Sequence, residues 1–159
     1  MSDILLVDND ARLGELMAWF LRKRGHDVRI ALSYADARRC IAEREPELML
    51  ADLELGRERG RDELPRMARE HCLPRTIVVS GYLDLETEQE LARLSRVAGT
   101  LRKPFDLDVL ERAIDRCLVA PRADGDHGAR DGGSRAHETS MAAEGVARAA
   151  RESASDAEA

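Results

Sequence analysis

Four short stretches each deliver chemically capable side chains directly after an apolar run. LLVDND (5–10) ends in Asp8, Asn9 and Asp10, and LMLADLE (48–54) ends in Asp52 and Glu54. TIVVSG (76–81) ends in Ser80 and Gly81, and GTLRKP (99–104) ends in Lys103 and Pro104. If the apolar runs are strands of one parallel sheet, all of these residues meet at its carboxyl edge, where such sheets bind ligands. Clustered carboxylates repel one another unless a hard cation neutralises them, and an all-oxygen donor set suits Mg²⁺, which keeps waters and shares phosphate oxygens. A carboxylate beside such an ion can attack phosphorus and become an aspartyl phosphate. The new oxygens then need donors, which an ammonium, a hydroxyl and backbone N–H groups supply. The set points to phosphoryl transfer onto an aspartate.

The elements that must position these groups are legible in the hydrophobic pattern. ILLV (4–7), VRIA (28–31), LMLA (48–51), TIVV (76–79) and GTLR (99–102) lack polar alternation, as strands covered on both faces do. Between them, residues 11–24 place Leu13, Leu16, Met17, Phe20 and Leu21 on one helical face, with Gly25 as the stop and Trp19 beside the stripe. Ser33 and Asp36 form a capping box for a helix carrying Ala37, Cys40 and Ile41. Asp106 caps a last helix that turns Leu107, Leu110, Ile114 and Cys117 inward, with Phe105 and Leu110 as its hydrophobic staple. Two further helices are predicted over 61–71 and 84–96; the second has few strong anchors beyond Leu91 and Leu94, so it is expected to be loosely held. Five strand–helix units imply a doubly wound α/β domain. Asp10 reads as the cap of the first helix.

Composition narrows the remaining classes. With 159 residues, 43% hydrophobic and 35% charged, the chain suits one globular domain plus extras. The longest apolar run falls far short of the ~20 residues a membrane span requires. The opening MSDILLVD has no basic n-region, so no secretory or transit peptide is expected and the cytoplasm is the expected compartment. Three separated cysteines and four ungrouped histidines offer neither a disulfide framework nor a metal motif. A net charge of −6 argues against nucleic-acid binding. Only Lys23 and Lys103 among the 25 basic residues are lysine, which makes the placement of Lys103 conspicuous. Residues 121–159 contain no Leu, Ile, Phe, Tyr or Trp, and are expected to form a disordered tail after a folded domain over 1–120.

Taken in order, VDND (7–10), LMLADLELGRERG (48–60), TIVVSGY (76–82) and LRKPF (101–105) resemble the receiver domain of bacterial two-component response regulators, over about residues 1–119. The resemblance implies a flavodoxin-like (βα)5 three-layer sandwich with a five-stranded parallel sheet ordered 2-1-3-4-5. It implies Asp52 as phosphoacceptor, with a histidine kinase or histidine phosphotransfer protein as donor. Asp8, Asn9, Asp52 and the backbone carbonyl of Glu54 would hold Mg²⁺. Ser80 would turn toward the phosphoryl group, Gly81 would leave room for it and Lys103 would pair with it. Gly60 matches the glycine after the phosphoacceptor, and Lys103–Pro104 would be a cis peptide. The expected function is a phosphorylation-activated switch, not an enzyme in the ordinary sense, that signals to a protein target with no output domain of its own.

Departures from the family's pattern sharpen this reading. Position 9, usually a second acid, is Asn9: it keeps a ligand oxygen and loses a charge, so weaker Mg²⁺ affinity is expected. Gly56 stands where proline is common, which should loosen the loop after Asp52. Thr100 replaces the aromatic residue that often rotates inward on activation. Glu54 and Tyr82 are candidates for tuning the lifetime of the phosphoryl group, and the first helix, where Trp19 lies, is where phosphodonors dock in the family. The rival reading is a degenerate receiver acting as a phosphorylation-independent interaction module. A flavodoxin-like enzyme is disfavoured, because acids occupy positions where a phosphate-binding loop needs glycine and hydroxyl groups.

Overall fold

The computed structural model describes residues 1–119, and the expected tail at 121–159 lies outside the described residues. In chain order the elements are β1 (Asp3–Val7), α1 (Ala11–Lys23), β2 (Asp27–Ala31), α2 (Tyr34–Glu43), β3 (Leu48–Asp52), β4 (Glu54–Leu55), β5 (Glu58–Arg59), α3 (Gly60–Arg69), β6 (Thr76–Ser80), α4 (Leu85–Ala92), β7 (Val97–Arg102) and α5 (Leu107–Val119). The main sheet is parallel with order β2-β1-β3-β6-β7. This is the expected 2-1-3-4-5 order once the short β4–β5 pair is numbered. That pair is an antiparallel hairpin with Glu54 opposite Arg59 and Leu55 opposite Glu58.

The sheet divides the core into two layers, and alternate residues of one strand serve each. Ile4 and Leu6 face α1 and α5, where Met17, Ala18, Phe20, Leu21, Leu110 and Ile114 are buried. Leu5 and Val7 face the other side, with Tyr34 and Ala37 from α2, Leu64 and Met67 from α3 and Leu91 from α4. All five residues of β3 and of β6 are buried, which is why their sequences show no polar alternation.

Local chemistry sets the helix ends. Asp10 caps α1, its Oδ1 accepting from Arg12 N at 3.0 Å and Leu13 N at 3.1 Å. Gly25, with φ of 85°, turns the chain out of that helix. Ser33 Oγ accepts from Asp36 N at 3.0 Å, as the capping box requires.

One facing expectation and one boundary are corrected. Leu16, expected inward, is 51% exposed. The buried face of α1 is centred on Gly14, Met17, Ala18 and Leu21, with the small residues Gly14 and Ala18 packed on the sheet side, where a Cβ on Gly14 would be in ordinary contact with Ile30 Cγ2 at 3.6 Å. The helix expected over 84–96 ends at Ala92 and buries only Thr87 and Leu91, since the chain must already join β7 at Val97. The loop after Asp52 forms a two-residue hairpin, in which Gly56 supplies the positive φ (66°) that a primed turn needs at its first central position.

Candidate functional site

β1, β3, β6 and β7 end side by side, and their last residues assemble the expected groups. Asp8 and Asp52 are buried, with 5% and 6% of their surface exposed. Between them lies the Lys103 ammonium, 3.0 Å from Asp8 Oδ2 and 2.8 Å from Asp52 Oδ2. Burial opposes the charge on Lys103, but hydrogen bonds to Asp52 and then Asp8, and the charges of both, outweigh it and raise the lysine above its ordinary range. The second oxygen of each carboxylate takes a backbone donor two residues on: Asp8 Oδ1 accepts from Asp10 N at 2.8 Å, and Asp52 Oδ1 from Glu54 N at 2.9 Å. Lys103 is fixed through its own backbone, whose N–H donates to Ser80 O at 2.8 Å, and the Lys103–Pro104 peptide is cis.

The hairpin determines which way the Glu54 carbonyl faces. Gly60 N donates to Leu53 O at 2.8 Å, so Leu53 and Gly60 exchange a bond across the pair. In an antiparallel ladder bonded and non-bonded pairs alternate, and Glu54, one residue on, belongs to a non-bonded pair whose backbone groups turn outward. Its N–H goes to Asp52 Oδ1 accordingly. In an extended strand the N–H and C=O of one residue point to the same side, which directs the Glu54 carbonyl there as well.

The other expected residues are distributed less tightly. Asn9 is exposed, and its amide nitrogen is 3.8 Å from where a Cβ on Gly56 would sit, so it reaches over the hairpin turn. Ser80 is fully buried, but its hydroxyl is engaged locally, donating to Tyr82 O at 2.7 Å and accepting from Tyr82 N at 3.2 Å. Gly81 is exposed, and a Cβ there would meet nothing within 4 Å. Glu54 is exposed and Tyr82 is 71% exposed. Thr100 Oγ1 donates to Glu88 Oε1 at 3.4 Å, linking β7 to α4 away from the carboxylates. Trp19 stands 57% exposed on α1 with the Lys23 ammonium 5.7 Å from its ring.

A buried layer beneath the site is absent from the sequence-level reading. Tyr34, 1% exposed, donates from its hydroxyl to the backbone carbonyl of Asp52 at 2.7 Å. Its backbone N–H donates to Glu58 Oε2 at 2.6 Å. Burial first, then the charges of Asp52, Glu63 and Glu58, push its phenol far above the ordinary tyrosine range. Gly60 makes space for it: a Cβ there would collide with the Tyr34 hydroxyl and come within 2.9 Å of Leu53 Cα. Only the glycine at position 60 hinted at this packing in the sequence.

The donor chemistry fits a hard cation in part. Two buried carboxylates and an outward carbonyl are all oxygen ligands. Among the described residues no group of three or more His, Cys, Asp or Glu side chains converges, so the Glu54 carbonyl, Asn9, water and phosphate oxygens would have to complete the shell. Among the same residues no helix is long and apolar enough to cross a membrane.

Comparison with known proteins agrees with this geometry. Residues 4–115 match the response regulator receiver domain. The chain is 33% identical over 123 residues to the nitrogen assimilation regulatory protein NtrX of Azorhizobium caulinodans, an alignment covering 76% of this chain and 27% of that protein. It spans about a quarter of the length of several such curated relatives. The crystal structure of the receiver domain of NtrX from Brucella abortus superposes with a TM-score of 0.66 at 29% identity, covering 73% of this chain and 98% of that one. A response regulator from Burkholderia pseudomallei, solved with a phosphorylated aspartic acid, a calcium ion and citrate, shares the fold with a TM-score of 0.64 at 22% identity, covering 71% of this chain and 66% of that one. The match over residues 4–115, on a sheet of the order 2-1-3-4-5 with acids and a lysine at its carboxyl edge, establishes that this chain belongs to the response regulator receiver family of two-component systems.

Proposed function

We propose that the chain is a phosphorylation-activated switch that accepts a phosphoryl group on Asp52 from a histidine kinase or a histidine phosphotransfer protein. The observation that carries this reading is the Lys103 ammonium held within 3.0 Å of two buried carboxylates, Asp8 and Asp52. In the transfer, an Asp52 carboxylate oxygen forms the new bond to phosphorus while the phosphorus–nitrogen bond of the donor phosphohistidine breaks. The imidazole nitrogen leaves with the electron pair and takes a proton from solvent. Lys103 then exchanges a carboxylate oxygen for a phosphoryl oxygen, Ser80 gives up its local bond to Tyr82 and turns toward the group, and Gly81 leaves space for it.

Asp8, Asn9, Asp52 and the Glu54 carbonyl would hold Mg²⁺, which when bound neutralises the acids and the incoming phosphoryl charge. The Burkholderia pseudomallei regulator, with its phosphoaspartate and divalent ion, supports a cation of this charge. Glu54, Tyr82 and Thr100 are the residues we assign to phosphoryl lifetime and to transmission toward α4. The downstream partner is a protein rather than a nucleic acid, in keeping with the net charge of −6, and the compartment is the cytoplasm.

Incubation with acetyl phosphate and Mg²⁺ followed by intact mass tests this. One added phosphoryl group, lost in Asp52→Asn, is the expected result. The exposed Asn9 and the engaged Ser80 hydroxyl favour a second reading, a degenerate receiver that binds its partner without phosphorylation. No added mass under prolonged incubation would select it.

A further inference from the structure

The phosphoacceptor strand must change direction and still present two things on one side, the Asp52 carboxylate and the Glu54 carbonyl. Residues 52–60 achieve this with a short hairpin, and a two-residue strand pair is not stable on its own. What secures it comes from α2. We propose that Tyr34 is a positioning residue for the cation site, holding from beneath the main chain that carries Asp52 and the Glu54 carbonyl. This rests on the reading of Asp8, Asn9, Asp52 and Glu54 as that site.

Two hydrogen bonds of Tyr34, one to each arm of the hairpin, carry the inference, with the backbone bonds between those arms beside them. The Tyr34 hydroxyl donates to the Asp52 carbonyl at 2.7 Å, fixing the peptide plane that leads out of β3. The same peptide is held at its other end by Leu53 N donating to Val79 O at 3.2 Å, and the next one by Leu53 O accepting from Gly60 N at 2.8 Å and Glu54 N donating to Asp52 Oδ1 at 2.9 Å. At the far arm of the hairpin, Glu58 Oε2 accepts from Tyr34 N at 2.6 Å. That bond also satisfies one of the orphan donors in the first turn of α2, where a carboxylate is favoured by the helix dipole. A single residue therefore ties both arms of the hairpin to the start of a helix, and the absence of a side chain at Gly60 is the condition for its ring to lie there. None of these groups reaches the reacting atoms. Their role is to set where the carbonyl sits before a cation arrives.

Tyr34→Phe removes the hydroxyl and leaves the ring, so the fold is retained and only the tether to Asp52 is lost. The probe is Mg²⁺ alone, titrated by amide NMR of the full chain, with acetyl phosphate labelling run in parallel. We expect the Mg²⁺ dissociation constant to rise at least fivefold, hydrogen exchange at Glu54 and Gly60 to quicken, and the labelling rate at saturating Mg²⁺ to stay within twofold of the parent. Ile114→Val, in the core on the opposite face of the sheet, provides a comparably destabilised reference and should leave Mg²⁺ affinity unchanged. Unaltered affinity in Tyr34→Phe overturns the proposal, as does an equal change in Ile114→Val. Absence of Mg²⁺ binding by the parent chain overturns both this proposal and the cation site it rests on. Mg²⁺ binding with no phosphoryl uptake removes the switch reading and leaves the role of Tyr34 to be judged on affinity alone.

Discussion

The loops that leave β3 and β6 sit side by side at the same sheet edge, yet they are held in opposite ways. The loop after β3 is a hairpin anchored to buried groups of other elements, through Tyr34, Glu58 and the close packing at Gly60. The loop after β6 begins with its own short circuit, a Ser80 hydroxyl bonded to both backbone groups of Tyr82; Gly81 and Tyr82 are exposed, and the chain is caught again only at Leu83, which is buried and whose carbonyl accepts from Arg102 Nη2 at 2.8 Å. A phosphoryl site needs both kinds of wall. On the proposed reading, the wall that carries Asp52 must be in place before a donor arrives, whereas the wall that carries Ser80 must have a bond it can exchange at little cost.

The largest effect expected from this contrast lies at Gly60. Gly60→Ala forces a Cβ against Leu53 Cα and the Tyr34 hydroxyl, and should cost about 2 kcal/mol of stability, read from urea unfolding midpoints. If Gly60→Ala unfolds at the same urea concentration as the parent, the hairpin is not anchored as described.

Lys103 tests how the two walls are joined. Its pKa is raised in the fold by Asp52 and Asp8, so its contribution is fully present below the unfolded lysine value of about 10.4 and is lost as pH rises through the higher folded value. The stability gap between the parent and Lys103→Met should accordingly be constant near neutrality and close on the alkaline side. A gap that closes only toward acid would point to the carboxylates instead.

Asn9→Asp should restore a charge next to Asp8 and tighten Mg²⁺ severalfold, on the order of 1 kcal/mol after screening at an exposed position. Calorimetric titration of Mg²⁺ into both chains checks it, and equal affinities would show that position 9 contributes nothing. Ser80→Ala removes the two local turn bonds to Tyr82 and should cost about 1 kcal/mol in unfolding, while slowing the response to phosphorylation. Smallest of all, Gly81→Ala places a Cβ in open space and should stay within about 0.5 kcal/mol of the parent. Equal costs at Gly60 and Gly81 would erase the distinction between the walls.

Much of this architecture was legible because its signals are local. Unalternating runs identify buried strands, Asp10 and Ser33 announce helix starts, and acids or a lysine directly after a strand point to the edge where they act. Leu16 was misread because periodicity counts large apolar residues, whereas Gly14 and Ala18 are what a closely approaching helix places against the sheet. The hairpin at Gly56 was not legible, because a missing proline does not announce the positive φ that the tight turn requires. Tyr34 was invisible: its partners are 18 and 24 residues away, and no local pattern marks a phenol that meets a backbone carbonyl.

The sequence by itself determined the order of strands and helices, the family, and the identity of the groups that meet at the sheet edge, because each rests on residue type, short-range spacing and their succession along the chain. Only the tertiary structure decided how those groups are held. It put Lys103 between Asp8 and Asp52, turned Asn9 toward the hairpin, engaged Ser80 with its own turn and set Tyr34 under the Asp52 backbone. Those outcomes depend on hydrogen bonds and close contacts between segments far apart in the chain, and such contacts exist only once the sheet has brought the segments together.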